Sequence, residues 1–144
     1  MAYVDTSVLV AYYCPEPLSE RVQSFLLSQD RPALSSMTEV EFFSAVARKV
    51  RAGEIPKVDG NRIIAKFSAH LDTGLYTRLP IQNHHWRLAR GWIGLFTTPL
   101  RTLDALHLAI ASAESQAMVT SDKALHLAAQ ALGVDAVLLN GSER

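Results

Sequence analysis

The sequence predicts an α/β fold, with a central parallel sheet of four to five short strands flanked by helices on both faces. Three observations predict it. Short apolar runs alternate with amphipathic stretches, the pattern left by parallel strands joined through crossover helices. No internal repeat, low-complexity stretch or linker interrupts the alternation, so residues 1–144 read as a single domain. A chain of this size buries roughly 68% of its unfolded surface, enough for a core without staples.

Taken in order, Ala2 to Asp5 is the first strand and Ser7 to about Tyr13 a short helix. Pro15 and Pro17 force a loop, since neither donates a backbone hydrogen bond. Ser19 to Ser28 is helical, with Val22, Phe25 and Leu26 at helical spacing. Pro32 breaks the chain before a second strand at Ala33 to Ser35. Met37 to Ala52 is a helix whose expected core stripe is Val40, Phe43, Ala47 and Val50, with Gly53 as its C-cap. Asp59 to His70 or beyond forms another helix, which Gly74 ends.

Leu75 to Ile81 is the third strand. Asn83 caps a helix from His84 to about Leu95, in which Trp86, Leu88, Trp92 and Leu95 supply bulk for the core or an interface. After the break at Thr98-Pro99, Thr102 caps a helix through Ser115. Its Leu103, Leu106, His107 and Ile110 share one face. Ala117 to Ser121 is the fourth strand, Asp122 or Ser121 caps a helix to Leu132, and Gly133 stops it. Val134 to Leu139 is the last strand.

Four acids occupy positions that such a fold gathers: Asp5, Glu41, Asp104 and Asp122. Asp5 and Asp122 end strands, while Glu41 and Asp104 lie in opening helical turns. In an open parallel sheet these positions share the ligand-binding edge. Each acid alone also reads as an N-cap or a complement to a helix dipole. Together they form a set of like charges that a cation would neutralise, and hard carboxylate oxygens suit Mg²⁺ or Mn²⁺.

Charge is zero overall but lopsided. Between Arg48 and Arg101 stand ten basic and three acidic residues, a net +7, which leaves four against eleven, −7, elsewhere. The asymmetry points to a polyanionic partner, with a solvated helical surface as the plainer reading. A basic lobe beside an acidic pocket is the division of labour a nuclease uses.

The residues then resemble a known family. Asp5-Thr6-Ser7-Val8-Leu9-Val10 is similar to the opening of a PIN-domain ribonuclease. Ser36 to Ala45, followed by Arg48-Lys49, resembles the second acidic motif of its VapC-type toxins. Arg101-Thr102-Leu103-Asp104-Ala105-Leu106-His107-Leu108-Ala109 resembles the third, the most specific of the set, and Val119 to Leu125 the fourth. The motifs run in order from residue 2 to residue 139.

The resemblance implies a PIN-like fold and Mg²⁺- or Mn²⁺-dependent endonucleolytic cleavage of RNA. It places the acidic pocket on Asp5, Glu41, Asp104 and Asp122, and alignment to the motif prefers Glu41 over Glu39. Some members carry a further acid just after the fourth motif acid, where this chain has Lys123 and Ala124 and so one ligand fewer for a second ion. Asp5, Asp104 and Asp122 are the expected metal ligands and Glu41 the residue that orients the attacking water. Ser7 and Thr120 are expected to donate hydrogen bonds to a carboxylate. Arg48, Arg51, Arg87 and Arg101 are the candidate RNA phosphate contacts.

A VapC-like chain is further expected to form a homodimer and to be held by a small cognate VapB-like antitoxin, on apolar faces involving Phe25, Leu26, Trp86 or Trp92. A basic antitoxin residue would enter the acidic pocket. A housekeeping PIN nuclease, and a non-catalytic PIN-like module whose acid pocket accepts a basic partner residue, are the alternatives.

Other chemistries fit less well. Ser7 stands where a haloacid-dehalogenase-type phosphatase needs its second Asp, the acid pair and late Lys of a response-regulator receiver are missing, and no glycine-rich phosphate loop occurs. Cys14 is alone, which excludes an intramolecular disulfide and a thiolate metal site, and no activating neighbour flanks it. Adjacent His84 and His85 are expected to point about 100° apart and not to share a metal. His107 is expected to be a buried structural histidine or a partner of Asp104. No apolar run approaches the roughly 18 residues a membrane span needs, and no secretory signal is visible, so the chain reads as cytoplasmic.

Overall fold

The computed structural model describes residues 2–140. The first half contains β1 (Ala2–Val4), α1 (Thr6–Tyr13), α2 (Ser19–Leu27), β2 (Ala33–Ser35), α3 (Ser36–Arg51) and α4 (Lys57–Asp72). The second half contains β3 (Thr77–Leu79), α5 (Asn83–Ile93), α6 (Thr102–Ala113), β4 (Ala117–Thr120), α7 (Lys123–Ala131) and β5 (Ala136–Leu138). All four strand pairings are parallel, in the order β3-β2-β1-β4-β5. The predicted α/β architecture is therefore present, with five strands.

Strand periodicity divides the core. Successive side chains leave a strand on opposite faces. Val4 and Val119 accordingly join Val8, Leu9, Phe42 and Phe67 beneath α1 to α4. Tyr3 and Met118 join Leu106, Leu108, Ile110 and Leu125 beneath α5 to α7. Helix α6 is buried from Ala105 through Ala111, which explains its near-continuous apolar sequence. Gly53 and Gly133 follow their helices with φ of 76° and 73°, conformations that cost glycine little. No helix among the described residues is long and apolar enough to cross a membrane.

Several sequence expectations need correction. The buried stripe of α3 is Thr38, Phe42 and Val46. Val40 is 70% exposed and Phe43 39% exposed, so the expected stripe was rotated by about one residue. Adjacent Phe42 and Phe43 offer two apolar registers, and docking against α1 and α4 selects the first. Leu103, expected inside, is also exposed on α6. The N-cap positions of α5 and α6 are Gln82 and Arg101, one residue before the expected caps. Among the aromatic and aliphatic interface candidates, Leu26 is a core residue, and Phe25 and Trp92 are half-buried against the core. Trp86 alone of the four is exposed.

Candidate active site

The strand order turns about β1, whose neighbours are β2 on one side and β4 on the other. Chains leaving β1 and β4 therefore diverge and open a crevice at the carboxyl edge of the sheet. Asp5 follows β1 directly, and its backbone N–H donates to the Val119 carbonyl across the gap at 2.9 Å. Asp122 follows β4 by two residues and caps α7, accepting at Oδ1 from the Ala124 and Leu125 N–H groups at 2.9 and 3.2 Å. The expected cap is thus Asp122.

Asp5 is buried, and a polar lattice explains how it is tolerated there. Ser7 Oγ and Thr120 Oγ1 each donate to its Oδ2 at 2.8 Å. Those hydroxyls in turn accept the backbone N–H of Ser121 at 3.1 Å and of Asp122 at 3.0 Å. With acceptor positions so filled, each hydroxyl proton is directed to Asp5. Among the described residues, both side-chain donors fall on Oδ2 and none on Oδ1.

Glu41 reaches the same region from α3. Its Oε1 accepts from Thr6 Oγ1 at 2.7 Å and from His107 Nε2 at 2.6 Å. Burial pushes the Glu41 carboxyl up, but the His107 hydrogen bond and charge and the Thr6 hydroxyl outweigh it, so the group lies below its ordinary range. Glu39 points its carboxylate elsewhere, in a bidentate pair with Arg78 on β3 at 2.7 and 2.9 Å. Alignment and geometry agree on Glu41.

Asp104 completes the cluster from the first turn of α6. Burial holds its carboxyl above the usual range; Arg101, 3.6 Å away, pulls it down, and the charges of Asp5 and Asp122 push it up further. That mutual repulsion places three acids from three elements within one field. Glu41 and Asp104 line a cleft of about 380 Å³ together with Arg101, Thr102 and Leu103. A second cleft of about 360 Å³ is lined by Thr6, Ser7, Glu16, Ala45, Arg48, Lys49 and Ser121, among others. Arg48 and Arg101 therefore lie along clefts that include site residues. Arg51 and Arg87 line neither of them.

The donor set fits a hard divalent cation. Among the described residues the donors to Asp5 and to Asp122 fall on one oxygen of each, and Asp104 feels the like charge of both, which Arg101 offsets in part. A cation at the cluster would remove that repulsion.

Sequence reasoning did not anticipate Thr6 and Tyr3 as members of the site; His107 is buried, one of its two expected roles, and its hydrogen bond goes to Glu41 where Asp104 was the partner offered. His107 bonds Glu41, and its Nδ1 meets Tyr3 OH at 2.6 Å. A hydroxyl residue directly after Asp5 was the available signal for Thr6. Nothing local marks Tyr3, whose partners lie 32 to 104 residues away.

The histidine pair also departs from expectation. The Nε2 atoms of His84 and His85 both approach Glu114 Oε2, at 3.6 and 3.0 Å. This trio has metal-ligand proximity, within 4.8 Å. Proton bookkeeping argues against a metal. The Gln82 backbone N–H donates to His85 Nδ1 at 2.9 Å, so the neutral ring carries its proton on Nε2 and donates it to Glu114. Binding an ion at Nε2 would displace that proton onto a nitrogen already facing an N–H.

The comparisons with known proteins bear on the fold and the family. No curated protein matches the sequence. Among solved structures, FitAcB from Neisseria gonorrhoeae is 22% identical, with 100% of both chains covered and a TM-score of 0.70. A sarcin–ricin-loop-cleaving VapC toxin of Mycobacterium tuberculosis is 15% identical, covering 96% of this chain and 99% of its own at a TM-score of 0.74. VapBC2 from Rickettsia felis, solved with promoter DNA, is 14% identical, with 97% and 100% covered and a TM-score of 0.69. At these identities the likeness is one of fold. The family model of the PIN domain matches residues 2–131, and the chain belongs to that family.

Proposed function

We propose that the protein is a Mg²⁺- or Mn²⁺-dependent endoribonuclease, acting as the toxin of a toxin–antitoxin pair. One observation supports the nuclease reading: the strand order sets β1 beside β4, and the charges of Asp5 and Asp122 add to the burial that raises Asp104 on α6, so acids from three elements share one edge of the sheet. Asp5, Asp104 and Asp122 would hold the ion. When bound, it supplies an activated water and neutralises charge on the phosphate. Ser7 and Thr120 keep Asp5 oriented, and Glu41 presents Oε2, which takes no donor among the described residues, to the attacking water. Arg48 and Arg101 hold flanking phosphates of the RNA.

The toxin role is supported by the fold shared with FitAcB and the VapC and VapBC proteins. A VapB-like antitoxin would place a basic side chain near Asp104, where this chain's own Arg101 already sits. The exposed apolar residues Trp86, Ile93, Leu95 and Phe96 offer a surface for the antitoxin or for a second copy in a homodimer. Incubating the purified chain with RNA and Mg²⁺ or Mn²⁺ tests the central point. Cleavage that chelator and Asp104→Asn both abolish supports the reading. RNA left intact under every divalent condition, with the chain still sequestered by a basic partner, would favour a non-catalytic binding module. Cleavage without growth arrest or a neighbouring antitoxin would favour a housekeeping nuclease.

A further inference from the structure

Beneath the acidic cleft lies a second polar assembly that metal binding does not require. Tyr3, Ser35, Thr38 and His107 are all buried. Tyr3 OH is 2.6 Å from His107 Nδ1, 2.9 Å from Ser35 Oγ and 3.3 Å from Thr38 Oγ1. His107 Nε2 ends the chain at Glu41 Oε1, 2.6 Å away. Apolar side chains of similar shape would fill such a core without the risk of an unmatched donor.

For a neutral imidazole the proton inventory closes in one way. A carboxylate only accepts, so His107 Nε2 carries a hydrogen and donates it to Glu41. The neutral ring then has only a lone pair at Nδ1, which takes the Tyr3 O–H. Ser35 or Thr38 donates to the Tyr3 oxygen. Thr6 adds the second donor on Glu41 Oε1. Among the described residues both donors therefore fall on Oε1 and none on Oε2. A glutamate has three side-chain torsions, and two donors on one oxygen remove most of that freedom.

We propose that His107, held as the Nε2–H tautomer between Glu41 and Tyr3, is a positioning residue that clamps Glu41 by Oε1 so that Oε2 is aimed at the attacking water. The inference rests on the nuclease reading above. It differs from a purely structural role, because a structural histidine would affect stability and leave catalysis in the folded protein untouched.

The test uses the full chain with Tyr3→Phe, His107→Leu and His107→Gln, each checked for folding by its amide spectrum. Tyr3→Phe keeps the ring and its shape, so it serves if His107→Leu does not fold. The first arm needs no metal and no activity. Nitrogen-15 spectra of the imidazoles should show His107 protonated at Nε2 only, with a protected Nε2–H that Glu41→Ala exposes. Tyr3→Phe should keep the Nε2–H and shift the Nδ1 resonance, because that nitrogen loses its hydrogen-bond donor. A ring whose proton sits on Nδ1, or an Nδ1 resonance unchanged by Tyr3→Phe, overturns the proposal whatever the chain does to RNA.

The second arm is single-turnover RNA cleavage. Tyr3→Phe and His107→Leu should lower kcat by about 10- to 100-fold, the usual cost of losing an orienting partner. KM for RNA and Mn²⁺ affinity should stay within about twofold, since the lost contact acts on the chemical step. His107→Gln, whose amide N–H can replace Nε2–H, should recover part of the rate. Wild-type rates in folded Tyr3→Phe and His107→Leu overturn the proposal. A wild-type chain that cleaves no RNA overturns the nuclease reading instead, and the spectra still judge the clamp.

Discussion

Asp104 and Glu41 line one cleft yet sit on opposite sides of the ordinary carboxylate range, and that contrast gives each a separate signature in stability. Glu41 is depressed, so its contribution is fully present above its unfolded value, roughly 4.3, and is lost as pH falls through its lower folded value. Glu41→Gln should therefore cost about 1–3 kcal/mol at neutral pH, the usual worth of hydrogen bonds to a charged group. The cost should shrink in acid. Asp104 is raised, so its ionised form opposes folding at neutral pH and the penalty fades as pH falls through its folded value. Asp104→Asn should leave the metal-free chain unchanged or up to about 1 kcal/mol more stable at neutral pH, with the gap closing in acid. Denaturant melts at several pH values read both effects. Two variants shifting stability in the same direction would contradict the opposed environments. In cleavage assays, Asp5→Asn, Asp104→Asn and Asp122→Asn should each abolish activity, and retained Mg²⁺-dependent cutting in all three would remove them from the site. The acids were legible in the sequence because strand ends and opening helical turns mark them. Tyr3 and Thr6 were not, because their roles exist only once β1, α3 and α6 are assembled.

Among the elements, α7 and α4 carry the clearest tests. Asp122 has two duties, capping α7 and lending charge to the cluster. Asp122→Asn keeps a good cap and removes the charge, whereas Asp122→Ala removes both. The alanine variant should be about 0.5–2 kcal/mol less stable than the asparagine variant, with both equally inactive. Helix α4 approaches α3 at Gly60, where an added Cβ would lie 2.7 Å from Val50 Cγ2. A valine in a helix has one strongly preferred rotamer and yields poorly. Gly60→Ala should therefore destabilise by about 1 kcal/mol, the crowding cost exceeding alanine's gain in helix propensity. A raised melting temperature would show that Val50 moves aside. Element types and order were readable because proline, glycine and apolar period punctuate the chain so regularly. The face of α3 was not, since Val40, Phe42, Phe43 and Val46 satisfy two helical registers and only packing partners choose between them. The convergence of His84 and His85 on Glu114 was hidden for the same reason: the shared partner comes from the end of another helix.

For the molecule as a whole, the lopsided charge visible in the sequence acquires a geometry. The sheet order sets β1 beside β4 and draws the acids to one edge, while the basic residues from Arg48 to Arg101 spread over α3, α4, β3, α5 and the turns around them. Position along the sequence made all four candidate arginines look equal. Position in the fold separates them. Arg48 lines the cleft that includes Thr6 and Ser7, and Arg101 lines the cleft of Glu41 and Asp104. Lys49 shares the first cleft, but Glu16 and Glu54 lie 3.9 and 3.5 Å from its Nζ and offset its charge. On the nuclease reading, backbone phosphates of a bound strand would meet Arg48 in one cleft and Arg101 in the other. Each phosphate contact releases counterions, with a slope near 0.7 in log K against log salt for a single strand. Arg48→Ala and Arg101→Ala should each weaken binding to several unrelated RNAs alike and reduce the salt slope by about that amount. Arg51→Ala and Arg87→Ala should change both quantities much less. The measurement is a salt titration of RNA affinity in Asp104→Asn, so that the substrate stays intact. Equal effects from all four arginines would mean that RNA is held by the diffuse positive field and not along the two clefts.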